Sequence, residues 1–391
     1  MDPALGTRSY AANAYLPPAV RGRVNLTVRT GVEVRKVVLE NLDYDGDVVA
    51  TGVEFTDSIA GMTTTTKATA RREVIIAAGT FGSPKLLEHS GIGDARRQLG
   101  GDADHRVVVV ENPGVGENLQ NHPLATVSFE VVTGGANDGG APPTKDAFLR
   151  AALRQDEKVL GAAVKQYIER RTGQFASSGV TSAALLPLPG LATPEGREEL
   201  EDHFKHSTVV SGPNGDSFAV AHERFVRDMV LSTSEASGYY IFGPAYAPFN
   251  PDGTSGQPPL DDGSEDSYIT VAIMLAHPLS RGSVHVIGAG AEQTLVIDPG
   301  LLSHPLDLEV MARHVQFVEQ RLAAAEPLAK WLKPGGKRAA GAPEAGTLKD
   351  LEVAKGYVIH TSELPSPPTH IFLFPVLSLL TQVSGEKIGE S

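Results

Sequence analysis

Arg72-Glu73-Val74-Ile75-Ile76-Ala77-Ala78-Gly79 constrains the fold more than any other segment, because an unbroken apolar run there stops on glycine. A strand with one wet face alternates apolar and polar residues. A short run without alternation needs cover on both faces, which a layered α/β domain supplies. Directly after it, Ser83-Pro84-Lys85-Leu86-Leu87 has the chemistry of a helix start. Serine can cap, and proline fits the first turn, where its missing N–H would be unpaired anyway. Ser90-Gly91-Ile92-Gly93 then stops that helix. A buried strand, a glycine and a helix in succession predict a mixed α/β chain.

The flanking sequence fits this reading. Val24 to Val38 is strand-like on both sides of a turn at Gly31, and Thr51-Gly52-Val53-Glu54-Phe55 reads as a further strand after Asp45-Gly46. The threonine run Thr63 to Thr66 is expected in a polar turn. Val107 to Val110 followed by Asn112-Pro113-Gly114-Val115-Gly116 forms a second strand-and-turn unit. Further on, Gly134 to Thr144 and Pro248 to Asp266 are polar loops rich in Gly and Pro, and Lys145 to Arg171 has helical spacing. Tyr268 to Leu275 and Ser283 to Val286 read as strands, and Pro305 to Ala324 as a helix. This later part is expected to be the more antiparallel one.

At 391 residues the chain can hold two domains, and 41% apolar with 21% charged residues is ordinary for a globular protein. The net charge of −13 disfavours nucleic acid and anionic membranes as partners. With no cysteine, disulfides, iron–sulfur clusters and thiolate zinc sites are excluded. No stretch reaches the roughly 18 to 20 apolar residues that span a bilayer. His203 and His206, three apart near Glu201 and Asp202, are the nearest approach to a metal pair, and a solvated helix face accounts for them better. No metal site and no serine-hydrolase elbow is assigned. Nothing in the sequence decides localisation.

Three stretches together resemble the glucose-methanol-choline (GMC) oxidoreductase family. The first is Gly6-Thr7-Arg8-Ser9 with Ala14-Tyr15-Leu16 and Arg23-Val24-Asn25-Leu26-Thr27-Val28. The second runs from Arg72 through Gly79-Thr80-Phe81-Gly82-Ser83-Pro84 to Ser90-Gly91-Ile92-Gly93. The third is Asn112-Pro113-Gly114-Val115-Gly116-Glu117-Asn118-Leu119-Gln120-Asn121-His122-Pro123, with Asn121 where the family usually has Asp. Pro278-Leu279-Ser280-Arg281-Gly282-Ser283-Val284 and Leu302-Ser303-His304-Pro305 resemble its substrate domain.

The resemblance implies a partial Rossmann-like FAD-binding domain over residues 1–123. It also implies a substrate domain with a mostly antiparallel sheet and helices over 124–363, and a non-family tail over 364–391. It implies FAD as cofactor and a small-molecule alcohol as substrate, oxidised by hydride transfer to the flavin. By the same analogy Val34 lies against the adenine, Ala78 and Gly79 run close to the adenosine and pyrophosphate, and Asn118 and His122 lie toward the flavin. Glycine suits such a place because it lets backbone approach a cofactor.

Two departures from the family pattern are expected to matter. The family's G-x-G-x-x-G unit has no match here. Gly114-Val115-Gly116 and Gly288-Ala289-Gly290 are followed three residues on by Leu119 and Gln293, and both read as turns. Tyr357-Val358-Ile359-His360 resembles the lead-in to the family's His-Pro-x-Gly motif, but the chain then leaves the pattern. His370 is not followed by Pro or Gly, so no catalytic residue is assigned. The chain is therefore expected to be a truncated member, active only with help. The alternative is a non-catalytic homologue serving as a small-molecule-binding scaffold. Either way, uncovered strand edges predict self-association when it is expressed alone.

Overall fold

A computed structural model describes residues 9–42, 47–59, 62–98, 108–132, 146–176, 182–206, 217–248, 266–287, 294–339 and 341–362. Two short helices, α1 (Ala11–Tyr15) and α2 (Pro18–Arg21), precede three strands: β1 (Val32–Leu42), β2 (Asp47–Ile59) and β3 (Met62–Thr69). Then come α3 (Gly79–His89), β4 (Ile92–Gly93), α4 (Ala95–Gln98), β5 (Val110–Glu111) and β6 (Leu124–Val131). The middle holds α5 (Asp146–Leu153), α6 (Glu157–Arg170), β7 (Ser182–Leu186), α7 (Pro194–His206), α8 (Ser217–Val230), β8 (Gly238–Gly243) and β9 (Ser267–Leu275). A hairpin of β10 (Ser283–Ile287) and β11 (Thr294–Asp298) is followed by α9 (Pro305–Phe317) and α10 (Leu351–Ser362). The chain divides into two compact units, one formed by Ser9–Asn121 with Arg281–Gly300, the other by His122–Ser280 with Leu301 onward.

In the first unit, β1, β2 and β3 form an antiparallel meander in that order. Its strands are rich in Val and Thr, whose branched Cβ suits a pleated surface. The threonine run expected in a turn is part of this sheet: Thr63 pairs with Ser58 and Thr66 with Phe55. Branching outweighed polarity there. β4 and β5 form a short parallel pair, and β10 and β11 pair antiparallel.

The apolar run before Gly79 departs from expectation. Val74–Ala77 forms no strand among the described residues, and Ile75 is 78% exposed. Val24–Val28 is likewise outside any strand, with Val24 fully exposed. A strand exists only when a neighbour takes its N–H and C=O groups, and neither segment has a ladder partner among the described residues. The following helix also starts earlier than Ser83. Gly79 has φ +81°, a conformation that sets the turn into α3, and the Ser83 hydroxyl accepts the Ala78 N–H at 3.2 Å from inside the helix. Pro84 therefore lies within the helix rather than at its start. Ser90 closes it as expected.

The second unit is built on a four-stranded antiparallel sheet in the order β6-β9-β8-β7. All of β6 except Leu124 is buried, and Val271, Ile273 and Leu275 of β9 are almost wholly inaccessible. Ala125, Val127 and Phe129 of β6 and these three β9 side chains share one apolar cluster with Val310, Met311 and Val315 of α9 and Ala354, Tyr357 and Val358 of α10. Burying a Val, Leu or Ile side chain contributes about 1.5–3 kcal/mol, so this sheet-on-helix core is the main stabilising feature of the unit. The Tyr357 hydroxyl pins α10 to the sheet by donating to the Thr126 carbonyl at 2.6 Å. Pro305 opens α9 as the sequence predicts, with His304 as its cap.

The helical stretch expected from Lys145 to Arg171 is two helices. Gln155 turns left-handed at φ +54°, and Asp156 caps α6 by accepting the N–H groups of Lys158 and Val159. The predicted loops at Gly134–Thr144 and Pro248–Asp266 fall almost entirely outside the described residues. Asp45-Gly46, Gly288-Ala289-Gly290, His370 and the tail lie outside them altogether, as do the side chains of His203 and His206. No helix among the described residues is long and apolar enough to cross a membrane.

Candidate cofactor residues and a carboxylate-flanked histidine

Four of the five expected cofactor residues fall in the first unit. Val34 lies on β1 opposite Phe55, beside a register shift, and is 41% exposed. Ala78 and Gly79 form the exposed turn into α3. A Cβ built on Gly79 meets no atom within 4 Å, so its backbone is open to an approaching group, and its φ of +81° excludes an ordinary side chain without strain. Asn118 adopts φ +60°, an uncommon conformation that Asn tolerates better than most residues. The open, glycine-kinked backbone at Ala78-Gly79 fits a cofactor that lies along it.

His122, the fifth, belongs to the second unit. Its Nδ1 is 2.7 Å from the Leu275 carbonyl at the end of β9, so that nitrogen donates and the tautomer is fixed. The same chain segment is held to β9 through the Leu275 N–H, which donates to the Pro123 carbonyl. In this unit Asp307 of α9 accepts the N–H groups of Leu279 and Ser280 at 2.9 and 2.7 Å, fixing the chain as it leaves β9.

A cleft lined by Phe204, Arg227, His277, Leu279 and Asp307 has a volume of about 10 Å³. That is room for about one water molecule, and too little for an alcohol substrate. Beyond this lining, the ring of His304 is buried. Its Nδ1 accepts the Leu306 N–H, and its Nε2, with no hydrogen-bond partner among the described residues, lies 4.0 Å from Glu223. Burial holds this imidazole below its ordinary pKa, so it is neutral.

Sequence reasoning passed over a constellation in the first unit. His285 of β10 places Nδ1 2.7 Å from Glu88 Oε1 on α3 and Nε2 3.0 Å from Glu117 Oε1 in the turn before Asn118. The other Glu88 oxygen accepts the Val286 N–H at 2.7 Å, and Arg97 of α4 donates to Glu117 at 2.6 Å. Both His285 and Glu88 are more than nine-tenths buried. Gly116 packs so tightly that a Cβ there would lie 2.3 Å from the Val284 carbonyl and 2.7 Å from the ring. His285 and Glu88 are 197 residues apart, and no spacing in the sequence joins them.

The fold and these residues define a two-unit mixed α/β protein with an open, glycine-kinked turn in one unit and an antiparallel sheet backed by helices in the other. The GMC oxidoreductase family model matches residues 1–124. The dehydrogenase mpl7 of Monascus purpureus is 31% identical over 359 residues, covering 90% of this chain and 53% of that protein. The choline oxidase of Arthrobacter globiformis is 42% identical over 126 residues, 32% of this chain and 21% of that protein. Among solved structures, an FAD-dependent oxidoreductase from Chaetomium thermophilum matches the fold with a TM-score of 0.65 at 22% identity, over 94% of this chain and 55% of that one. The chain belongs to the GMC oxidoreductase family. It spans about half the length of the Monascus relative.

Proposed function

We propose that this chain contributes to an FAD-dependent oxidoreductase acting on the CH–OH group of a small alcohol. The observation that carries the reading is the 31% identity to a dehydrogenase along 90% of the chain, from one unit into the other. The open backbone of Ala78-Gly79 supports it. Bound FAD would supply the hydride acceptor. Val34, Ala78, Gly79 and Asn118 of the first unit would hold it, and His122 is a further candidate by family resemblance alone. No side chain is assigned as the catalytic base, and the alcohol is not specified further.

The test is the visible absorption spectrum of the purified chain, with and without added FAD, after desalting. A retained flavin band supports the reading, and alcohols can then be screened by bleaching of that band. A colourless protein at saturating FAD refutes cofactor binding by this chain alone.

The exposed apolar groups of Val24 and Ile75 favour a second reading, in which the chain works only in association. Large apolar side chains left in water at unpaired segments are a contact surface or an aggregation hazard. A single monomeric species at micromolar concentration would overturn it.

A further inference from the structure

We propose that β7 is a dimerisation edge, at which two copies of this chain pair their β7 strands antiparallel about Ala184 and run one sheet through both second units. The sheet of that unit ends on β6 at one side and on β7 at the other. The β6 side is covered. The Glu130 carbonyl accepts the Lys333 N–H at 2.9 Å, the Val132 N–H just beyond the strand donates to the Trp331 carbonyl at 2.8 Å, and Val131 bridges to Leu332. β7, by contrast, pairs only with β8 among the described residues. Soluble proteins usually blunt such an edge with charge, proline or a bulge. Ser182-Ala183-Ala184-Leu185-Leu186 carries neither charge nor proline, and its register with β8 runs without a shift.

The backbone groups of β7 are divided between its two sides. The Leu186 carbonyl accepts the Ser237 N–H at 3.0 Å, so it faces β8. Peptide groups alternate in direction along an antiparallel strand. Those of Ala184 therefore face β8 as well, and the N–H and C=O groups of Ala183 and Leu185 face outward, without a partner among the described residues. A two-fold axis at Ala184 sets Ala183 of one copy opposite Leu185 of the other, and each such pair can exchange both of its hydrogen bonds. An axis at Leu185 would instead set Ala183 opposite Pro187, which has no N–H to give.

Side chains and charge select a second copy as the occupant. Leu185, 64% exposed, and Ala183, also exposed, share one face of the strand. Across the axis the large Leu185 meets the small Ala183, so each copy covers the other's exposed leucine. On the opposite face Ala184 and Leu186 already pack against the main apolar cluster. A net charge of −13 sets two copies against each other, and this uncharged strand lets them meet without opposing like charges within it. An edge that fits itself under a two-fold axis closes on one partner and does not grow into a fibre. A strand pair of this length falls in the weak class of interfaces, below about 1,200 Å², so the dimer should dissociate on dilution. The edge belongs to the second unit, whereas Val24 and Ile75 belong to the first.

The test is sedimentation equilibrium of the full chain carrying Ile75→Lys, which removes association through that residue, from about 1 to about 100 μM. A reversible monomer–dimer equilibrium without larger species is expected. Adding Leu185→Lys should weaken the dimer about tenfold or more, since the burial of two leucines is lost, and should leave the thermal midpoint unchanged. The chain has no cysteine, so Ala184→Cys supplies a single thiol. At the axis the two Cα atoms would lie about 4.5 Å apart, within disulfide reach, and mild oxidation should link the chain into a covalent dimer. Thr64→Cys, exposed on the edge strand β3 of the first unit, should cross-link far more slowly. A monomer throughout the concentration range, a dimer undiminished by Leu185→Lys, or cross-linking no faster at Ala184→Cys than at Thr64→Cys would overturn the proposal. None of these readouts depends on flavin or on the alcohol chemistry proposed above.

Discussion

Substituting His314 with glutamine should flatten the acid limb of the stability curve. His314 of α9 is wholly buried between two hydroxyls, with Nε2 2.8 Å from Ser237 Oγ and Nδ1 2.6 Å from the Tyr240 hydroxyl. A neutral imidazole satisfies both, donating at one nitrogen and accepting at the other. An imidazolium would have to be formed without a counter-charge, and burial pushes the pKa from 6.5 down to about 3. The unfolded chain therefore binds a proton below pH 6.5 that the folded chain refuses, and stability falls as pH falls. At about 1.4 kcal/mol per unit, the whole gap is worth roughly 5 kcal/mol, of which about half is lost by pH 4.5. That is a large share of the roughly 5–15 kcal/mol that holds a typical domain. Denaturant unfolding of the full chain at pH values from about 7 down to 4.5, followed by circular dichroism, measures the slope. The uptake of protons on unfolding should be smaller in His314→Gln by nearly one. Carboxylates contribute to both slopes and cancel in the difference. Parallel acid limbs in the two proteins would refute the argument.

Three further outcomes follow from the geometry. Gly238→Ala places a Cβ 2.5 Å from the His314 ring, and overpacking of this kind should cost about 1–3 kcal/mol in denaturant unfolding. Gly79→Ala meets no neighbour but must hold φ +81°, so it should cost about 1–2 kcal/mol or shift the start of α3, and weaken flavin retention in the absorption assay. Ile75→Lys should reduce self-association in light scattering without lowering the thermal midpoint, since a side chain already 78% exposed contributes little to the fold.

Much of the second unit was legible in the sequence. β9 and α9 were readable because their signals are local: a continuous apolar run for one, and His304-Pro305 with helical spacing for the other. The break at Gln155-Asp156 was missed because helical apolar spacing runs on across it, whereas the break is set by the left-handed Gln155 and the Asp156 cap. In the first unit, the residues expected to face a cofactor were chosen by family resemblance, and the structure adds the backbone geometry of Gly79 and Asn118. The His285 cluster was illegible for a different reason. Its three members lie on a strand, a helix and a turn, and only the folded unit brings them within hydrogen-bond distance.

Val74–Ala77 shows the limit of pattern reading most sharply. Its composition says what surroundings the segment suits, namely cover on both faces. It cannot say that those surroundings are present, because a strand is a relation between two segments. β3 is the converse case. Four threonines carry little apolar signal, yet β2 lies alongside, and pairing with Phe55, Thr56, Asp57 and Ser58 makes them a strand. Pairing partners, more than side-chain polarity, decided both outcomes. The same reasoning makes Ile75 the place to look for whatever this chain binds: a segment whose composition calls for two covered faces, and which has an exposed one, is where added cover would be most stabilising.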